Sequence, residues 1–479
     1  MPPPVWASPL DAFFLMAETP EMPMHVASLL QFTYPPGEED TFLRALVADL
    51  RSATVEPPWT LRLQTHAFRR QPVHRWVEDE EFDLDYHVRH LALPSPAGER
   101  ELGILVSRMH SNPLDLRRPP WEISFVEGLE GGRFAVYVKI HHALVDGFTG
   151  MRILRRGLSA DPDDRDHPFF LSTRRPSRSA ARPEPVADVT SVLGGLATSL
   201  GSVTSVGRAL LDTQLRRGQA SPTTAVTSYQ APPSILNGRV GTARRFATQQ
   251  LGTDRMKAIG KARGATLNDV LMAVCAGGLR RYLADLDALP DAPLIGFIPV
   301  NVRPKESQGG GNLVGATLVS LATDVADPLE RLAAITASSK AAKARMRGMS
   351  ADEVVAYSAL LLAPAGLQVL RAMSGLPVPL PLPLTLNVCI SNVPGPSEHL
   401  YWRGARLEAT YPVSIPGHSM ALNITAHSYA GVLDVGFVGD RDGIPHLQRL
   451  AVRTGEALDE LEAAATPRGR PRGRGGRAR

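Results

Sequence analysis

The chain has 479 residues, more than one ordinary core organises, so two domains are expected. With 43% hydrophobic and 21% charged residues it has the composition of a folded globular protein and not of a disordered or fibrous one. The formal charge of +4 misleads: residues 467–479 hold six arginines and no acid, which leaves about −2 for the rest (+4 minus 6) and removes the argument for nucleic-acid binding by the fold.

The start, Met1-Pro2-Pro3-Pro4, lacks a charged segment followed by an apolar one, so no signal peptide is expected. Ser8 is placed to cap a short helix that opens with Pro9. Residues 24–32 read as a strand and residues 39–52 as an amphipathic helix with Phe42, Leu46 and Leu50 on one face. Apolar and polar residues alternate over part of 81–90. His87 and His90 lie there without a third ligand at sensible spacing, so no metal site is expected. Residues 98–109 read as a helix, and the prolines of 112–122 call for a rigid loop crossing under the turn that follows.

Residues 134–140 are β-branched, aromatic and nearly continuous in apolar character, which predicts a buried strand. Straight after it comes His141-His142-Ala143-Leu144-Val145-Asp146-Gly147, and then a helical pattern over 148–159. A rigid strand thus delivers an imidazole on a turn. Gly147 permits tight backbone there, and Asp146 can orient the ring or brace the loop. His142 is the candidate general base, because a neutral imidazole with an ordinary pKa of ~6.5 accepts a proton at cellular pH.

From residue 161 the chain turns rich in Pro, Arg, Ser, Thr and Gly, so 161–237 is expected to be a linker with surface helices; contact with a membrane is the alternative. The second domain is expected over 238–466. A strand begins at Arg245. Thr266 or Asn268 caps a long helix through Asp285, and residues 294–300 form a strand leading into Arg303. Asp327, Pro328 and Glu330 mark the start of another helix, to about Arg347. Residues 357–386 are the most apolar stretch, but five prolines exclude a continuous spanning helix; an apolar, pocket-lining segment is expected. A strand over 385–391 leads into Asn392. A hairpin follows around Ser428-Tyr429-Ala430-Gly431, then a last helix over 444–465 and a disordered basic tail. Cys275 and Cys389 have no metal-ligand spacing and read as buried free thiols. Gly417-His418-Ser419-Met420-Ala421 looks like a nucleophile elbow, but it lacks the last Gly and precedes a strand instead of a helix.

Several of these segments together resemble the bacterial wax ester synthase/diacylglycerol acyltransferase family of the chloramphenicol acetyltransferase-like superfamily. They are Ser8-Pro9-Leu10-Asp11, Met24-His25-Val26, Phe82 to Arg89, Asn112 to Asp115 and Pro119 to Glu122. The His141 to Gly147 motif, Leu236-Asn237-Gly238, Thr266 to Val270, Pro299 to Arg303 and Ser391 to Pro396 complete the set. Pro120 stands where the family usually has Leu. The resemblance implies an α/β fold of two chloramphenicol acetyltransferase-like domains with the active site in a tunnel between them. It implies transfer of a fatty acyl group from acyl-CoA to diacylglycerol or a long-chain alcohol, without an acyl-enzyme, and with no metal and no cofactor, acyl-CoA being a substrate.

On the same resemblance Asp146 is structural, with Arg303 as its expected partner, and His141 shapes the loop or the acyl pocket. Asn268 hydrogen-bonds near the acceptor or simply caps its helix; Ser391 and Asn392 line the tunnel. A cytoplasmic enzyme in peripheral contact with the inner membrane or lipid droplets is expected. Rival readings are a serine hydrolase, the same fold acting on another hydroxyl or an amine, and a non-catalytic lipid-droplet scaffold.

Overall fold

Two six-stranded mixed sheets organise the chain, and each collects its strands from distant parts of the sequence. The computed structural model describes residues 5–7, 9–64, 74–145, 147–172, 226, 230–301, 314–349, 353–354, 357–358 and 384–466. In the first half these form β1 (Val5–Trp6), α1 (Pro9–Ala17), β2 (His25–Thr33), α2 (Phe42–Arg51), β3 (Leu61–Leu63), β4 (Arg75–Glu78), α3 (Leu84–His87), β5 (Val88–Ala92), α4 (Glu99–Ser111), β6 (Trp121–Leu129), β7 (Arg133–His141) and α5 (Gly147–Arg156). In the second they form β8 (Arg244–Gly252), α6 (Thr253–Arg263), α7 (Leu267–Ala284), β9 (Ile295–Asn301), β10 (Val314–Ser320), α8 (Pro328–Met346), β11 (Val388–Val393), β12 (Tyr401–Trp402), β13 (Ala405–Val413), β14 (Leu422–Tyr429), β15 (Val432–Asp440) and α9 (Leu447–Ala465). Residues 173–225 and 227–229 of the expected linker, the apolar segment around residues 359–383 and the tail lie outside the described residues, as do Asp146 and Arg303; the two described ends of the linker are packed into the fold, with Phe169, Phe170, Leu171 and Leu236 buried.

The first sheet runs β12-β13-β2-β7-β6-β5 and the second β10-β9-β11-β14-β15-β8; β1, β4 and β3 form a small third sheet. The strand expected at 134–140 is β7, central and buried on both faces. Phe134, Val136, Val138 and Ile140 enter one core while Ala135 and Tyr137 enter another, which is why its apolar run is unbroken. Hairpin β14–β15 turns through Ala430 and Gly431, with φ of 43° and 85°, the two positive values a tight two-residue turn requires. Thr266, not Asn268, caps α7: its side chain accepts from the Asp269 N–H while Asp269 returns the bond to the Thr266 N–H. Asp327 caps α8 through the N–H groups of Leu329 and Glu330. Cys275 and Cys389 are buried and free.

Several features depart from the sequence reading. Strand β6 follows directly on the prolines of 112–120, and α6 and β10 occupy stretches given no element. More consequentially, β12 and β13 leave the second half and complete the first sheet, with β13 antiparallel to β2 from Arg406↔Thr33 to Val413↔Ala27. A simple cut at 238 therefore does not separate the two sheets.

The halves are joined face to face. Edge strand β8 is covered by α4, whose Ser107 and Ser111 hydroxyls accept from the backbone N–H of Phe246 (2.9 Å) and Arg244 (2.8 Å). A shared apolar cluster sets Leu29, Val106 and Tyr411 of the first sheet's side against Phe246 and Val438 of the second. Among the described residues, no helix is long and apolar enough to cross a membrane.

Candidate active site at the seam

Strand β7 ends at His141, and the chain turns through residues 142–145 before α5 starts at Gly147. The turn is pinned by backbone bonds. The His141 N–H reaches Pro120 O (2.9 Å), the His142 N–H reaches Met24 O (2.8 Å), and the N–H groups of Leu144 and Val145 return to His141 O at 2.9 and 3.3 Å. Ala143, Leu144 and Val145 are buried apolar anchors. Of residues 141–145, His142 alone is not fully buried, so it is the turn's one partly exposed imidazole.

The two histidines have separate surroundings. His141 Nδ1 accepts from the Ala143 N–H at 3.1 Å, so its proton sits on Nε2, which donates to Glu18 Oε2 at 2.5 Å. Both side chains are buried, at 1% and 4% exposure. With both ring nitrogens engaged, His141 has none left for a substrate proton. The His142 ring is stacked under Phe14, centroids 3.9 Å apart and planes at 23°. Phe14 and Glu18 are four residues apart, one helical turn, so α1 and its exit hold both motif histidines from one side.

Beneath β7 lies a buried polar ladder. His25, opposite His141 in the β2–β7 register, contacts His110 O at 3.0 Å, and the His25 and His110 rings meet edge to face at 4.7 Å. His110 also bonds Tyr137 Oη (2.9 Å) and Ser414 O (3.0 Å). Lys139 Nζ donates to Met109 O and Asn112 O and pairs with Glu122 at 3.1 Å. Burial drives the His110 imidazole down to about 3 and holds His25 well below 6.5, with neighbouring His110 and Lys139 adding to the latter. Both rings are neutral at cellular pH and serve as struts.

His142 stands where the halves meet. Phe14 packs against the cores of both, and Met24, which holds the His142 N–H, belongs to the second half's core. In the second sheet β11 and β14 run parallel with Ser391 beside Thr425. Strand alternation separates the two β11 candidates. Val388, Ile390 and Asn392 face the helix side, where Asn392 lines a cavity with Asn268, and Ser391 faces the other way. The structure thus brings Asn268 and Asn392 together and sets Ser391 apart from them. Asp146 and Arg303 lie outside the described residues; Gly147 is the first residue of α5. Gly417 to Met420 is a tight turn closed by reciprocal backbone bonds of 2.9 Å, followed by strand β14, so it is no nucleophile elbow. Sequence reasoning missed Phe14, Glu18, His110, Lys139 and Glu122. The available signal was the four-residue spacing of Phe14 and Glu18 just before the quoted Met24-His25-Val26 segment.

Comparison with known proteins settles the family. The description "Wax ester synthase/diacylglycerol acyltransferase catalytic domain" matches residues 7–271, and "WS/DGAT C-terminal domain" matches residues 310–462. The chain belongs to the wax ester synthase/diacylglycerol acyltransferase family. A Mycobacterium tuberculosis relative of this family, provisionally named a diacylglycerol O-acyltransferase, is 52% identical over 95% of this chain and 97% of its own. The O-acyltransferase WSD of Acinetobacter baylyi is 40% identical over 95% and 96%. Among solved structures, the wax ester synthase/diacylglycerol acyltransferase of Marinobacter aquaeolei VT8 is 38% identical, with a TM-score of 0.75 over 96% of this chain and 99% of that one. The first condensation domain of the CDA synthetase, 17% identical with a TM-score of 0.55 over 96% of each chain, shares the two-domain α/β fold alone. The first matched region carries the His142 turn, and each sheet takes strands from both matched regions.

Proposed function

We propose that this chain transfers a long-chain fatty acyl group from acyl-CoA to the hydroxyl of diacylglycerol or of a long-chain alcohol, making triacylglycerol or wax ester, with His142 as the general base. The observation that carries the assignment is the single partly exposed imidazole of the turn at the seam of two α/β halves, its loop pinned on both sides and its neighbour His141 committed to Glu18. The His142 imidazole takes the acceptor's hydroxyl proton as the oxygen attacks the thioester carbon. Collapse of the tetrahedral intermediate breaks the carbon–sulfur bond, and the imidazolium returns the proton to the departing thiolate. Acyl group, proton and electron pairs balance without a covalent enzyme intermediate or a metal. Phe14, stacked on the ring, supports the reading by limiting its rotamers and shielding it from water.

The acceptors and products are lipids, so the reading places a cytoplasmic enzyme in peripheral contact with the inner membrane or lipid droplets; flotation of the purified protein with dioleoylglycerol-containing vesicles checks this. The function itself is tested with palmitoyl-CoA and either hexadecanol or dioleoylglycerol, following thiol release and product together. Ester formation that tracks thiol release supports the proposal. Thiol release that needs no acceptor makes the chain a thioesterase and defeats it.

A further inference from the structure

The buried polar ladder under β7 converges on one place, the last turn of α4. The closing carbonyls of a helix have no partner within it. At this end of α4 they are met by side chains from the two strands that carry the motif turn. Lys139 Nζ of β7 donates to Met109 O (3.2 Å) and Asn112 O (3.0 Å), and His25 Nε2 of β2 donates to His110 O (3.0 Å). The same turn of α4 also grips the second half. The His110 ring donates to Ser414 O, just past β13, and the Ser111 hydroxyl accepts the Arg244 N–H of edge strand β8.

A lysine is a costly residue to place there. Its side chain is 1% exposed, and its charge is met by Glu122 at 3.1 Å, which Arg89 holds in turn at 2.8 Å. The cation suits the negative end of α4. Even so, a buried ion pair seldom adds stability over apolar side chains of the same volume. Stability therefore does not account for Lys139. A single geometry does: the ammonium must keep Glu122 and two helix carbonyls together, where an apolar chain would let the end of α4 slide.

That geometry reaches the base. Lys139 and His141 are two positions apart on β7 and share a face, and His25 stands opposite His141. Met24, one residue before His25, holds the His142 N–H at 2.8 Å. A shift at the end of α4 is passed through β2 and β7 to both strands that pin the His142 turn. We propose that Lys139 is a positioning residue: it locks the end of α4 to β2 and β7 and so fixes where the His142 imidazole stands relative to the second half. Its effect on turnover rests on the acyl-transfer reading above.

The test uses the full chain with Lys139→Met and Glu122→Gln together, a neutral pair of similar volume, and separately with Ser111→Ala, which cuts the link to β8. Each is first confirmed as folded by thermal unfolding. With palmitoyl-CoA and hexadecanol the paired variant should lose about tenfold or more in kcat, both KM values staying within about twofold. Ser111→Ala should lower kcat as well. All three changes together should cost less than the product of the two effects, because both cut one link. Modification of His142 by diethyl pyrocarbonate, read by mass spectrometry against the exposed His399 and His446, follows the imidazole without turnover. It should quicken about threefold or more in the paired variant as the turn opens more often. A folded paired variant with the wild-type His142 modification rate overturns the assignment. So does a rise in KM with kcat kept, which would make the junction part of substrate binding. Should the paired variant not fold, Ser111→Ala decides by the same readouts. If wild type transfers nothing, the function proposed above fails, and the modification rate still decides the lock.

Discussion

Glu18 is the residue on which the geometry of the motif loop turns. Its carboxylate receives the only side-chain N–H of a buried imidazole, and that imidazole accepts the backbone N–H of the next residue but one. Replacing Glu18 by Ala strands the His141 Nε2–H in a site 1% exposed. The expected cost is about 1–3 kcal/mol of stability, with a fall in kcat as the His142 turn loosens. Glu18→Gln keeps an acceptor and should recover most of both. Thermal unfolding and steady-state rates of the pair check this, and a Glu18→Ala protein as stable and active as wild type contradicts it. At this scale the sequence was partly legible. His142 stood out because a buried strand delivers it beside a second His with Asp and Gly following. Glu18 did not, because a carboxylate 123 positions from His141 leaves no local pattern. Asn268 could be read as cap or ligand residue, and only the coordinates show Thr266 doing the capping.

Among the elements, β13 and β15 approach closely between the sheets. An added Cβ at Gly436 would lie 1.9 Å from the Pro412 carbonyl oxygen, and backbone cannot yield there as a flexible side chain would. Close by, Asp434 accepts from the Thr410 N–H at 2.7 Å, tying the same two strands. Gly436→Ala should therefore push the sheets apart and cost about 1–3 kcal/mol or more, seen as a lowered unfolding midpoint. An unshifted midpoint would show that the strands slide freely past one another. A milder change is expected at the start of α7. Asp269→Ala removes the acceptor for the Thr266 N–H (2.9 Å) and should cost about 1 kcal/mol, which chemical denaturation can measure. Strong local signals made β7, α7, α8 and the β14–β15 hairpin readable: apolar runs, caps and a turn ending in Gly. Strand β6 was hidden by the prolines just before it. Strands β12 and β13 were assigned to no sheet because their pairing partner lies more than 370 residues away, and register at that range has no periodicity to read.

For the whole molecule, buried titratable groups on the faces between the sheets couple stability to pH. His427, 4% exposed, has its imidazole driven from 6.5 down to about 4 by burial. A depressed histidine contributes stability that is complete above 6.5 and is lost as pH falls towards 4, because the unfolded chain takes up the proton first. Asp434 has the opposite sign: burial raises it from 3.8 to about 6, so its contribution is complete below 3.8 and is lost as pH rises through 6. Removing the histidine's titration should thus flatten the acid limb. Between pH 6.5 and 5 wild type should lose about 2 kcal/mol more than His427→Met. Parallel losses in the two proteins would mean that His427 titrates normally.

The central claim is that one imidazole at the seam moves the proton in acyl transfer, and the rate of His142→Ala tests it most directly. With saturating palmitoyl-CoA and hexadecanol or dioleoylglycerol, the variant should fall about 10²–10⁴-fold below wild type while keeping its unfolding midpoint. A His142→Ala protein that forms ester at the wild-type rate would contradict the account, whatever else the site binds.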